Sequence, residues 1–191
     1  MAWALDKAHS QIGFAVRHMM ISTVRGRFKD FEAKLDIDDS DLTHSYLEGT
    51  VKTASIETED VNRDAHLRSP DFFEADKYPT MTFKSTRIEK VGDDHYHVVG
   101  DLTIKDVTRQ ITFDTREEGR GKDPWGKQHI GFSAQASINR RDYGLNWNVV
   151  LETGGWLVHE QVRIEISLEV AEAQETPAAA ATAEPKETAQ A

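Results

Sequence analysis

The chain has 191 residues, 38% hydrophobic and 29% charged, which is enough for one well-buried core and short for two, so a single globular domain with appendages is expected. Its 33 acidic residues against 23 Lys plus Arg give a formal net charge of −10, which repels phosphate backbones and anionic surfaces and argues against nucleic acid as a partner. Cysteine is absent, so disulfides, thiol nucleophiles and thiolate metal sites are excluded.

The chain opens with Met1-Ala2-Trp3-Ala4-Leu5-Asp6-Lys7, which lacks the basic start and apolar run of a secretory signal. A cytoplasmic protein is therefore expected, and no apolar stretch reaches the length of an integral membrane segment. In the first strand, Ile12, Phe14, Val16 and His18 alternate with Gln11, Gly13, Ala15 and Arg17, so one face carries an apolar row that ends in a histidine. Phe31, Ala33, Leu35 and Ile37 form a second such row, and Leu47, Gly49 and Val51 a third.

The rhythm changes at Thr58 to Leu67, where a capping residue and two acids precede Val61 and Ala65, spaced four apart as in a short amphipathic helix. Ser69-Pro70 ends it, and Asp71-Phe72-Phe73 and Tyr78-Pro79 form an aromatic loop; helix and loop together are expected to act as a lid. Alternation resumes with Met81, Phe83 and Ser85, turns at Val91-Gly92-Asp93-Asp94, and returns through Tyr96, Val98, Gly100, Leu102 and Ile104. Ile111, Phe113 and Thr115 follow, then Ile130, Phe132, Ala134, Ala136 and Ile138, then Leu145 to Leu151 around Trp147, and finally Val162, Ile164, Ile166, Leu168 and Val170. From Ala171 to Ala191 the composition shifts to Glu, Ala, Thr, Pro and Gln, which is expected to form a disordered acidic tail behind a domain of residues 1–170.

About eight strands joined by short connections are solved either by a sandwich or by a barrel, and sequential hairpins favour the up-and-down antiparallel barrel. Ala33, Gly49, Gly100, Ala134 and Ala136 lie among the larger residues of the inward rows, a mixture that suits a cavity and equally suits tight strand curvature.

Several separate stretches carry a family resemblance. They are His9-Ser10-Gln11-Ile12-Gly13-Phe14 with His18, then Gly26-Arg27-Phe28, then Arg63-Asp64-Ala65-His66-Leu67 leading to Asp71-Phe72-Phe73, then Tyr78-Pro79. Further on are Gly100-Asp101-Leu102-Thr103-Ile104-Lys105 with Val107-Thr108-Arg109, Gly131-Phe132-Ser133-Ala134, and Ile138-Asn139-Arg140 with Tyr143-Gly144. In this order they resemble the YceI-like family of lipid-binding proteins from about Trp3 to Val170. The resemblance implies an all-β, extended lipocalin-like antiparallel barrel that carries a long polyisoprenoid or related amphipathic lipid in its interior. Two turns depart from the family pattern: Asp106 stands at a usual glycine, and His159-Glu160 replaces Gly-Asp before the last strand.

The expected function is therefore non-catalytic binding, with carriage or storage of a polyisoprenoid, prenyl quinone precursor or fatty amide, and no cofactor. The expected lining is Phe14, Val16, Phe28, Leu35, Leu47, Met81, Phe83, Leu102, Ile104, Phe113, Phe132, Ile138, Trp147 and Ile164, although each of these side chains could equally serve ordinary core packing. His18, with Arg17 and Arg25 close in sequence, is a head-group candidate, against the alternative that it bonds to backbone at a strand end. Arg63 and His66 are further candidates, against the alternative that they form the solvated face of the helix.

Other classes find less support. His9-Ser10 would point to opposite faces and makes a poor dyad, and phosphate-binding or dinucleotide loops are missing, so an enzyme acting on a bound prenyl or acyl lipid is the alternative rather than the expectation. A filled barrel serving as a protein-interaction module is a third reading, and a homodimer is compatible with the sequence without being indicated by it. His95 and His97 share an outward face and could hold one ion, but no third ligand is apparent nearby in sequence, so no metal site is expected.

Overall fold

The computed structural model describes residues 2–173. The elements run β1 (Trp3–His18), β2 (Ser22–Phe28), β3 (Phe31–Asp36), β4 (Tyr46–Lys52), β5 (Ile56–Glu57), α1 (Val61–Arg68), β6 (Thr80–Lys90), β7 (His95–Ile104), β8 (Val107–Lys122), β9 (Gln128–Asn139) and β10 (Val158–Glu172). All ten strands belong to one antiparallel sheet in the order β3-β4-β6-β7-β8-β9-β10-β1-β2-β5, curled into a lipocalin-like half-barrel. Its edge strands are β3 and β5, and β3 lies alongside β1, where Lys7 Nζ is 3.7 Å from Glu32 Oε1.

The count is ten strands rather than about eight. β2 was hidden because it carries Val24, Gly26 and Phe28 on one face, too few large apolar side chains to mark a row. β5 is two residues long and makes only the pairs Arg27↔Glu57 and Phe28↔Ile56. The last strand also runs further than expected: Ala171 is buried and pairs with Ala4, and Glu172 pairs with Trp3. The tail expected from Ala171 thus loses its first two residues to the sheet, Ala173 follows with its amide donating to the Ala2 carbonyl, and residues from 174 on lie outside the described residues.

β1 is the seam of the sheet, pairing with β10 on one side and β2 on the other. Its pairing with β10 shifts register between Asp6 and Gln11, and local polar side chains hold the irregularity. Asp6 Oδ1 accepts from the Ala8 and His9 amides, Asp6 Oδ2 pairs with His9 Nδ1 at 3.0 Å, and Ser10 Oγ accepts from the Glu169 amide at 2.9 Å. A second shift falls between Val16 and His18, opposite His159 and Glu160, the two residues that depart from the family pattern.

α1 is capped by Asp60, whose carboxylate accepts from the Asn62 and Arg63 amides. Its inward face is not the one the Val61–Ala65 spacing predicts: Val61 is 81% exposed and Ala65 is exposed, while Asp64 is buried and Leu67 half-buried. The reason is a polar lock, because Asp64 Oδ1 accepts from both the amide (2.8 Å) and the hydroxyl (2.6 Å) of Thr58, and Arg63 reaches back to Thr58 Oγ1 at 2.8 Å. That lock turns Leu67 toward the barrel interior. The largest core cluster joins Phe28, Ile56, Phe72, Met81, Leu102, Ile104, Tyr143 and Leu145 at this end, and Trp3, Ile130 and Val170 make a smaller one at the other.

Candidate functional site

Inward-facing side chains in the middle of the sheet are apolar yet only half-buried. Phe14 and Val16 on β1, Phe83 on β6, Phe132 and Ile138 on β9, and Ile164, Ile166 and Leu168 on β10 all retain exposure. They do so because they face a continuous interior cavity of about 300 Å³, at the small end of the range typical of ligand pockets. Hydrocarbon side chains form nearly all of its wall.

Twelve of the fourteen expected lining residues are there: Phe14, Val16, Phe28, Leu47, Met81, Phe83, Leu102, Ile104, Phe113, Phe132, Ile138 and Ile164. Leu35 is not; it packs against the cluster of Trp3, Ile130 and Val170. Trp147 is not either. Its segment forms an isolated bridge, Val150↔Trp156, in place of a strand, and its ring packs edge-on against His66 at 4.6 Å and tilted against Phe72 at 5.4 Å. Strand periodicity missed several wall residues, notably Leu42 of the 3-10 turn at Leu42–His44, and Leu67, Phe72 and Phe73 of the lid, because each comes from a turn, loop or helix without period-two alternation.

Two glycines show how the wall is shaped. Gly26 lies opposite Phe14, and a methyl there would sit 2.3 Å from Phe14 Cζ, so its absence lets the Phe14 ring lie flat across β2. Gly49 is the reverse case: a methyl at that position meets nothing within 4 Å and would project into free space beside the cavity wall.

Polar groups in the wall are few. At the end away from α1, Ser45, Tyr96 and Thr115 border the cavity, the Ser45 hydroxyl accepting from the Asp38 amide and the Thr115 hydroxyl donating to the Phe113 carbonyl, while Tyr46 takes the outward parity of Glu48 and donates to its carboxylate. Arg140 is the one cationic side chain in the wall among the described residues, and it is only 4% exposed. Its guanidinium donates to the carbonyls of Leu145 (2.6 Å), Trp147 (2.9 Å), His159 (3.0 Å) and Val158 (3.3 Å), tying the 145–147 segment to the start of β10. Burial lowers its pKa from the ordinary guanidinium value, and these four oxygens occupy four of its five N–H donors.

None of the five head-group candidates lies in the cavity wall. His18 keeps the parity of Phe14 and Val16, the β1–β2 ladder running unbroken to His18↔Ser22, but it is the last residue of β1 and lies outside the cavity wall. Arg17 donates to the Met20 carbonyl at 2.9 Å, and Arg25 pairs with Glu165 at 2.7 Å on the outer face. Arg63 is committed to Thr58, and His66 binds Asp71 at 2.7 Å while its ring packs edge-on against Phe72. On the outer face of β7, His95 and His97 gain a neighbour that the sequence did not reveal: Asp114 of β8 stands directly opposite His97.

The model of the YceI-like domain matches residues 3–170 of this chain. A UPF0312 protein of Staphylococcus epidermidis is 43% identical over 165 residues, covering 86% of this chain and 94% of that protein. Among solved structures, Burkholderia cenocepacia BcnA superposes with a TM-score of 0.75 at 25% identity, covering 86% of this chain and 98% of that one. A polyisoprenoid binding domain from Saccharophagus degradans, implicated in plant cell wall breakdown, superposes with a TM-score of 0.62 at 16% identity, covering 89% and 98%, and shares the fold.

Proposed function

The chain belongs to the YceI-like family, and we propose that it binds one long-chain amphipathic lipid, of polyisoprenoid or similar hydrocarbon character, inside its barrel without transforming it. The observation that carries this reading is the interior cavity walled almost wholly by hydrocarbon on a half-buried inner sheet face. The likeness to a polyisoprenoid binding domain is in keeping with it.

Magnitudes favour a long ligand over a short one. Apolar burial is worth roughly 25 cal/mol per Å², so a prenyl unit of about 100 Å² contributes about 2.5 kcal/mol. Association costs about 4–15 kcal/mol in lost freedom, so one or two units give little net affinity and four or more give useful affinity. The aromatic lining of Phe72 and Phe73 beneath α1 suits the hydrocarbon tail, which leaves the polar head for the other end, where Ser45, Tyr96 and Thr115 border the cavity. Carriage or storage, in place of catalysis, is in keeping with His9 and Ser10 being engaged in the β1 irregularity.

Native mass spectrometry of the purified protein, paired with thermal shifts on adding prenyl alcohols and fatty amides of graded length, tests this. A bound lipid, or stabilisation that grows with chain length, is expected. A protein that carries no lipid and gains no stability from any length would overturn the reading.

A further inference from the structure

On β7, alternation that sends Tyr96 and Val98 into the cavity sends His95 and His97 to the outer face. Antiparallel pairing then places Asp114 of β8 opposite His97, and His95 Nε2 meets Asp114 Oδ1 in a hydrogen bond. The two imidazole rings lie 5.8 Å apart between centroids and nearly perpendicular, and one donor atom from each of the three side chains falls within 4.8 Å of the other two. Both histidines are half-buried and Asp114 is exposed, so the cluster is preorganised on a strand pair yet open on one side. The His97 ring has no hydrogen-bond partner among the described residues. We propose that His95, His97 and Asp114 bind a borderline divalent cation of the zinc type, with water at the remaining position.

The donor set fits that class. Two neutral imidazoles and one carboxylate suit zinc and its neighbours rather than calcium or magnesium, which take oxygen ligands. Zinc–nitrogen bonds of about 2.0–2.1 Å require the three side chains to draw in slightly, which exposed rotamers on adjacent strands permit, and the His95–Asp114 hydrogen bond exchanges for two metal bonds. The surroundings are mixed in charge. Glu89 of β6 stands opposite His97 and pairs with Arg87, Arg116 stands opposite His95, and Gln135 of β9 stands opposite Asp114. The cluster of Asp6, His9 and Glu169 also brings three donors together, but Asp6 already holds two amides and His9, and Glu169 is paired with His129 at 2.7 Å. Because the imidazoles bind as neutral bases, acidification weakens the proposed site.

The test is calorimetric titration of the full, tag-free chain with zinc, alongside His97→Ala, His97→Gln, Asp114→Asn and His9→Ala. One ion per chain is expected, weakened at least about tenfold by each change at His97 or Asp114 and unaltered by His9→Ala. Zinc should also shift the imidazole NMR signals of His95 and His97, a readout that a folding defect in one variant cannot mimic. Absence of saturable binding, binding that survives both His97 variants, or binding lost on His9→Ala would each overturn the proposal.

Discussion

The two ends of the barrel are built differently. Beneath α1, Phe28, Ile56, Phe72, Tyr143 and Leu145 are each no more than 6% exposed, and the buried Asp64 and Arg140 side chains there are held by short hydrogen bonds to the main chain. At the far end the wall residues Ile37 and Leu47 stay half-buried against the cavity. The first end resembles a domain core and the second a binding surface. Sequence rows of equal hydrophobicity thus do different work: where they interdigitate they stabilise, and where they face free space they remain available to a guest.

Substitutions can break this contrast. Arg140→Ala should have the largest effect, because it leaves four carbonyl oxygens at the α1 end without their donor; a stability loss of at least about 3 kcal/mol by denaturant titration is expected, and a loss under about 1 would show that end to be plastic. Phe72→Ala should follow, at about 3 kcal/mol, since it removes a buried ring from beneath Trp147. Leu47→Ala at the far end, where the side chain is half-buried against the cavity, should cost no more than about 1.5 kcal/mol and weaken lipid binding, so a stability loss equal to that of Phe72→Ala would erase the distinction between the ends.

Gly49→Leu sharpens the contrast. Its side chain would enter space where a methyl meets nothing within 4 Å, so stability should change by less than about 1 kcal/mol while the longest lipid retained, read by native mass spectrometry, becomes shorter. The smallest effect concerns the outer clamp of β1. The Asp6 carboxylate raises the His9 pKa above its ordinary value, and His9 in turn lowers that of Asp6. The contribution of His9 is therefore full below the ordinary imidazole pKa and is lost as pH rises through the raised one; that of Asp6 is present above the ordinary carboxylate pKa and is lost as pH falls through the lowered one. In an NMR titration, Asp6→Asn should return the His9 midpoint downward, and an unmoved midpoint would remove the clamp.

Period-two alternation made most of the wall legible, because a strand with one buried face cannot hide its register. It failed at strand ends and beside packed neighbours, which parity does not mark. His18 continues the parity of Phe14 and Val16 but stands at the very end of its strand, and Leu35 keeps the parity of its row yet packs against the cluster of Trp3, Ile130 and Val170. The partnership of His97 and Asp114 depends on which residues of β7 and β8 face each other, which neither strand reveals alone. Val61 and Ala65 misled because helical spacing marks a face without saying that Asp64, locked by Thr58, would claim the buried one.

The seam at β1 also constrains when the protein can begin to work. β2 reaches β1 through a short hairpin, but β10, its other partner, begins about 140 residues after β1 ends, so their union is among the least local contacts in the sheet. During synthesis the first strand therefore waits with one edge unsatisfied and an apolar face uncovered until nearly the whole domain has emerged. Any lipid must enter after translation of the last strand, and a nascent chain stalled before Val158 would offer a chaperone, not a ligand, its open side.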